Sequence, residues 1–168
     1  IVDAVNGVIY PATLSVVDGR IAKIRKDATG HGRFLVPPLV DAHVHVESSL
    51  LTPSRFAQTA VAHGTAGAVC DPHEIANVLG LPGVKLMHDE AQTLPINIYV
   101  QMPSCVPSAP GLETPGASIG PDEVAEAMSW PGIIGLGEMM NFPGVINGDP
   151  KMLAEIAATR PAPPRASR

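Results

Sequence analysis

LVDAHVHVESS, residues 39–49, sets His43 and His45 two positions apart at the end of a short apolar run, with Asp41 before them and Glu47 close behind. The LVDAHV part is β-like, and side chains at i and i+2 of a strand point to the same face. The two imidazoles can therefore offer nitrogens to one ion. A bare HxH can equally be two polar residues at a strand end. Its place favours the first reading, because it follows a strand expected to be buried, at the carboxyl end where parallel α/β folds build their sites.

Working downstream, the same alternation of elements repeats. Thr52 is placed as an N-cap and Pro53 as a first-turn residue of the helix PSRFAQTAVAHG, with Gly64 at its end. AGAVCDPH reads as a second strand stopped at Pro72, and LPGVKLMHDEAQTL as a second helix. INIYVQMPS is a third strand, rich in β-branched residues. GPDEVAEAMSW is a third helix, acidic in its first turn as the helix dipole favours. GIIGLGEMM is a fourth strand, and Asp149 with Pro150 opens the fourth helix, DPKMLAEIAATR. Four alternations at roughly the 30-residue spacing of a βαβ unit predict an α/β fold, a parallel sheet with helices outside. Four units are too few to close an eight-stranded barrel and would leave open edges, so the expectation is the first half of a TIM-like (β/α)8 barrel, and a fragment.

Upstream, residues 1–36 read as a small β segment. VDAVNGVIY carries an NG turn candidate, and LSVVDGRIAKI places DG between two alternating apolar runs, a hairpin signal. The expected organisation is this segment, then βα units over 37–160, then residues 161–168. That tail, PAPPRASR, has no periodicity and reads as disordered or foreign to the fold.

Composition narrows the class. A length of 168 residues suits about one ordinary domain, and Gly and Pro together make about a fifth of it, as expected for elements joined by sharp loops. A net charge of -5 with no Lys/Arg cluster argues against nucleic-acid or anionic-membrane partners, which need a concentrated basic face. Cys70 and Cys105, in no CxxC, suggest neither a disulfide framework nor a thiolate zinc site, and a reducing cytoplasm is the expected location. No stretch approaches the roughly 18–20 apolar residues that cross a bilayer, and the N-terminus has no signal-peptide pattern.

The reactive residues recur at the carboxyl end of each strand: His43 and His45, then Asp71, His73 and Glu74, then Ser104 and Cys105, then Glu138. A carboxylate in the apolar run GLGEMM is costly to bury without a compensating charge, which a metal at His43 and His45 would supply; alternatively Glu138 emerges into solvent. His73 could be a ligand, a substrate contact or a proton carrier, or a loop histidine bonded to backbone. Asp71 could instead cap the following segment. Cys105 has no evident histidine partner, which argues against a nucleophilic role, and Cys70 reads as a small buried apolar residue. His31, His63 and His88 receive no function.

VPPLVDAHVHVESSLLTP resembles the first barrel strand of the amidohydrolase superfamily, with its PGxxDxHxH pattern. DAHVHVESS, DPHEIANVLG, MPSCVP and GLGEMMNFPGVINGDP resemble one family within it, the microbial adenine deaminases, from about residue 36 to about 159. The resemblance implies a binuclear metal hydrolase holding two divalent ions, Mn²⁺ or Fe²⁺, with Zn²⁺ as the alternative. It assigns His43 and His45 as metal ligands and Glu138 as a catalytic, bridging ligand; Asp71, His73, Glu74 and Ser104, at the same strand ends, are the candidates for substrate binding. Two ions would acidify a shared water, which attacks C6 of adenine and releases ammonia to give hypoxanthine.

The family's other ligands, two histidines and an aspartate that doubles as the proton shuttle, are expected beyond residue 160, so this chain alone is expected to be inactive. A homo-oligomer is expected of the full-length form. Pro38 stands where the family usually has glycine; a fixed φ near -65° predicts strain there. Two alternatives remain at this point: a relative acting on a cyclic amide or N-acyl substrate, and a non-catalytic remnant that binds a metal weakly or a partner.

Overall fold

Asp18 and Gly19 both adopt positive φ, 50° and 72°, the conformation of a two-residue type I′ hairpin turn. The DG dipeptide therefore does what its sequence predicts. It joins β3 (Ala12–Val17) to β4 (Arg20–Lys26), antiparallel with Val17 opposite Arg20, after a shorter pair, β1 (Val2–Asp3) and β2 (Val8–Ile9). The NG dipeptide ends a longer turn, in which the Asp3 carboxylate accepts the backbone N–H groups of Val5 and Asn6 at 3.1 and 3.0 Å. The computed structural model describes residues 1–30 and 32–160; the expectations for His31 and for the tail lie outside the described residues. Two compact units divide the chain, Ile1–Pro38 and the residues from Leu39 onward.

The second unit is an α/β layer structure. Its four-stranded sheet runs in the order β5 (Leu39–Val44), β6 (Thr65–Cys70), β7 (Asn97–Met102), β8 (Ile133–Leu136), all parallel. Between them run a 3₁₀ turn (Val46–Ser49), α1 (Pro53–Ala62), α2 (His73–Leu79), α3 (Leu81–Ala91) and α4 (Pro121–Ala127), with α5 (Phe142–Ile146) and α6 (Pro150–Ala158) following β8. Strand β7 shows how the layers form. Ile98, Val100 and Met102 are buried on one face with Val84, Met87 and Ala91 of α3 and Val124 and Ala127 of α4, while Asn97, Tyr99 and Gln101 alternate onto the other face. No described helix is long and apolar enough to cross a membrane.

Several local expectations change. The LVDAHV strand is not buried: Leu39 and Val40 are 64% and 65% exposed, because β5 is an edge strand paired only with β6 among the described residues. Thr52 occupies the N-cap of α1 without a side-chain cap bond. Its hydroxyl instead donates to Glu90 Oε1 at 2.8 Å, and the same oxygen accepts the Ser54 N–H at 3.1 Å, so a carboxylate from α3 caps α1. The DPHE segment continues directly into the short helix α2, which ends at Gly80, and α5 follows the fourth strand. Both are too short to display a helical period.

Candidate metal centre

In a flat sheet the outer strands β5 and β8 would lie three spacings apart, roughly 14 Å. Twist and curl of the sheet and the length of histidine and glutamate side chains close that gap. His43 near the end of β5, His45 just past it, and Glu138 two residues beyond β8 meet at one place. Glu138 Oε1 lies 3.3 Å from His45 Nε2, and Oε2 lies 3.9 Å from His43 Nε2. The two Nε2 atoms are 3.3 Å apart, with the rings edge to face.

The far side of each ring decides what the near side can do. His45 Nδ1 faces the backbone carbonyl of Asp71 at 2.6 Å, and a carbonyl oxygen can only accept, so in the neutral ring the proton sits on Nδ1 and Nε2 is a bare lone pair. His43 Nδ1 faces Gln101 Oε1 at 3.3 Å, with the same consequence. Two lone pairs and a carboxylate then converge with no hydrogen between them, an arrangement that repels itself unless a cation lies among them. Donors about 2.1 Å from a divalent ion stand roughly 3.0–3.4 Å from one another; two of the separations here, both 3.3 Å, match that, and the third, 3.9 Å, is wider. The donor set fits a metal, with imidazole and carboxylate ligands of the type that suits Zn, Fe or Mn.

Asp71 organises this centre from below. It is fully buried. Its Oδ2 accepts the backbone N–H of Glu138 at 2.8 Å, its carbonyl accepts from His45, and its Oδ1 lies 2.5 Å from His73 Nδ1. It does not cap α2, whose N-cap is Pro72 without a side-chain bond. The approach requires glycine at 137, where an added Cβ would fall 2.5 Å from Asp71 Oδ2 and 2.7 Å from Oδ1. His73 is almost fully buried, and neither of its ring nitrogens has a hydrogen-bond partner of good geometry among the described residues, the approach of Nδ1 to Asp71 being a close contact only. His45, Asp71 and His73 form a second group of potential ligand atoms beside the first.

Glu74 accepts from the Ser48 hydroxyl and places Oε2 3.6 Å from His45 Nδ1. Burial disfavours charge on Glu74, but the Ser48 hydroxyl, backbone and Glu47 contacts and the nearby His45 outweigh it and hold its pKa below the usual value. Its neighbour Glu47, more deeply buried, is pushed up, so Glu47 is the one of the pair that more readily keeps a proton. Glu47 Oε1 also accepts the Ile75 N–H at 3.3 Å, in the first turn of α2. Burial opposes a charged His45, yet the Asp71 carbonyl and the carboxylates of Glu74, Asp71 and Glu138 together raise its pKa.

Ser104, expected at the substrate, is fully buried; its hydroxyl donates to the Glu138 carbonyl at 2.7 Å. The Cys105 sulfur accepts the Asn141 N–H at 3.1 Å and lies 3.3 Å from Met139 Sδ, so it links the segment after β8 to that after β7. Burial drives the Cys70 thiol up to about 12, consistent with an inert core residue. Gln101 was the group the sequence did not disclose, since a lone amide in INIYVQMPS carries no spacing signal.

Comparison with known proteins matches this chain to the amidohydrolase family over residues 34–157. An adenine deaminase of Ruegeria pomeroyi is 58% identical over 161 residues, covering 89% of this chain and 27% of that protein. One from Mesorhizobium japonicum is 65% identical over 128 residues, covering 76% and 21%. One from Moorella thermoacetica is 50% identical over 171 residues, covering 95% and 28%. The chain spans about a quarter of the length of the curated relatives it matches.

Proposed function

This chain belongs to the amidohydrolase family, and on that premise we propose that the protein carrying it hydrolyses adenine to hypoxanthine and ammonia, with His43, His45 and Glu138 among the ligands of two divalent ions. The carrying observation is the pair of imidazole Nε2 atoms 3.3 Å apart, both facing one carboxylate. When bound, such ions supply a hydroxide near neutral pH by lowering the pKa of water. Manganese or iron is the proposed pair, with zinc the alternative.

The chain's own residues hold and orient. His43 and His45 present lone pairs from one strand end, and Glu138 faces both. Asp71 fixes His45 through its carbonyl and Glu138 through its carboxylate. Of the four residues expected at the substrate, we place Glu74 there first, because its carboxylate is half exposed and held low in pKa, so that it stays ionised and can accept a hydrogen bond from an amidine N–H. His73, with its orphaned Nε2, is the second. Asp71 and Ser104 are buried and act through Glu138. We further propose that β5 to β8 are the first four strands of a (β/α)8 barrel, with residues 1–36 in a small composite β domain.

The test is the intact protein loaded with Mn²⁺ and given adenine. One hypoxanthine and one ammonia per adenine consumed are expected. Turnover of cyclic amides or N-acyl compounds without loss of adenine would overturn the substrate assignment, and no turnover of any of these would overturn the enzyme reading.

A further inference from the structure

We propose that Gln101 is a positioning residue for the metal centre: its amide oxygen holds the Nδ1 proton of His43 and so keeps Nε2 free for a cation. This inference rests on the metal reading above. The placement is specific. Gln101 stands on β7 in register with Gly135 of β8, on the face opposite the buried Val100 and Met102. His43 stands on β5, with β6 between them. Two strand spacings are about 9.6 Å, a gap that only a long side chain meeting another can cross. Gln101 Oε1 ends 3.3 Å from His43 Nδ1.

The need for such a partner follows from comparing the two imidazoles. His45 is tied by a backbone carbonyl, Asp71 O at 2.6 Å, which no substitution of a side chain removes. His43 is the more exposed of the two, 40% against 25%, and its Nδ1 contact is a side chain. A neutral imidazole released from Gln101 divides between two tautomers, and in one of them Nε2 carries the proton and cannot ligate. Partners of this kind on the outer side of a ligating histidine typically change metal affinity by 10–100-fold.

The experiment uses the intact protein, freed of metal, with Mn²⁺ itself as the probe, its binding measured by competition against a chelating dye. Gln101→Leu removes the acceptor and ends one atom short of it; Gln101→Asn keeps the amide and falls one methylene short; Gln101→Glu keeps both acceptor and reach. We expect Leu and Asn to weaken one of two Mn²⁺ sites about 10–100-fold and Glu to restore it. In the metal-free protein, ¹⁵N shifts should report the Nδ1–H tautomer of His43 for Gln101 and Glu, and a mixture for Leu. Should Gln101→Leu fail to fold, the contrast between Asn and Glu carries the test. Unchanged Mn²⁺ affinity in Leu and Asn, or equal weakening in all three variants, would overturn the role of Gln101 alone. A wild-type protein that binds no Mn²⁺ would overturn this inference and the metal centre together.

Discussion

The backbone N–H of Glu138 donates to Oδ2 of Asp71 at 2.8 Å across 67 positions of sequence. One buried carboxylate thereby fixes the segment that carries Glu138, and its own main-chain carbonyl fixes His45 at 2.6 Å. Removing it leaves the Glu138 N–H without its acceptor and the buried His73 without its neighbouring charge. Asp71→Ala should lower unfolding free energy by about 2–4 kcal/mol and reduce bound Mn²⁺. Chemical denaturation beside metal analysis checks this, and a variant of wild-type stability would refute the organising role.

Gly137→Ala tests the same contact from its other side. A Cβ there would enter to 2.5 Å of Asp71 Oδ2, and that carboxylate is fully buried and held by the Glu138 N–H. The expected loss is about 1–3 kcal/mol, as for other overpacked sites. A melting curve that overlays the wild type would show that the carboxylate can move.

His43→Ala and His45→Ala should each lower the Mn²⁺ content of the purified protein as well as its rate. Loss of rate with full metal stoichiometry would remove both histidines from the ligand set. Binding also stabilises the state that binds, so metal removal by a chelator should depress the melting temperature of the wild type more than that of either variant.

Glu155 is buried in α6, and neither carboxylate oxygen has a hydrogen-bond partner among the described residues; Lys151 Nζ approaches to 3.7 Å. Burial, aided by the Asp149 and Glu123 carboxylates and opposed by Lys151, pushes its pKa up to about 7 from 4.5. The folded state therefore binds this proton more tightly than the unfolded one. Its contribution to stability is fully present below about pH 4.5 and is lost as pH rises through about 7. Glu155→Gln should match the wild type near about pH 5 and exceed it by on the order of 1–3 kcal/mol near about pH 8. Urea midpoints at the two pH values measure this, and a pH-independent difference would contradict it.

Glu90→Ala removes the carboxylate that accepts the Ser54 N–H at the start of α1. The expected cost is about 1 kcal/mol, the usual worth of a helix cap, whereas Thr52→Val, which loses only a hydroxyl contact to that carboxylate, should cost less. The ranking of the two variants in thermal unfolding decides which residue is the cap.

Much of the layer structure was legible in the sequence because it is written in local chemistry. The DG turn needs positive φ at two residues, and only a few residue types supply it. Asp149 caps α6 by accepting the N–H of Lys151 at 2.8 Å, as its place before Pro150 suggests. The HxH pair declares a shared face through strand geometry alone. Short helices were less legible: α2 and α5 span seven and five residues, less than the length over which a 3.6-residue period stands out from noise.

By itself the sequence determined the alternation of the four parallel strands with their longer helices and the candidate HxH pair, which follow from residue types at short spacing, and its longer motifs carried the resemblance to the family. Only the tertiary structure decided that Glu138 faces both imidazoles, that Asp71 turns inward to bind the backbone beneath it instead of capping a helix, and that Gln101 reaches across a strand to His43. Those contacts depend on how far the sheet curls and which strands lie side by side. Such long-range geometry is fixed by packing of the whole layer, and no local pattern encodes it.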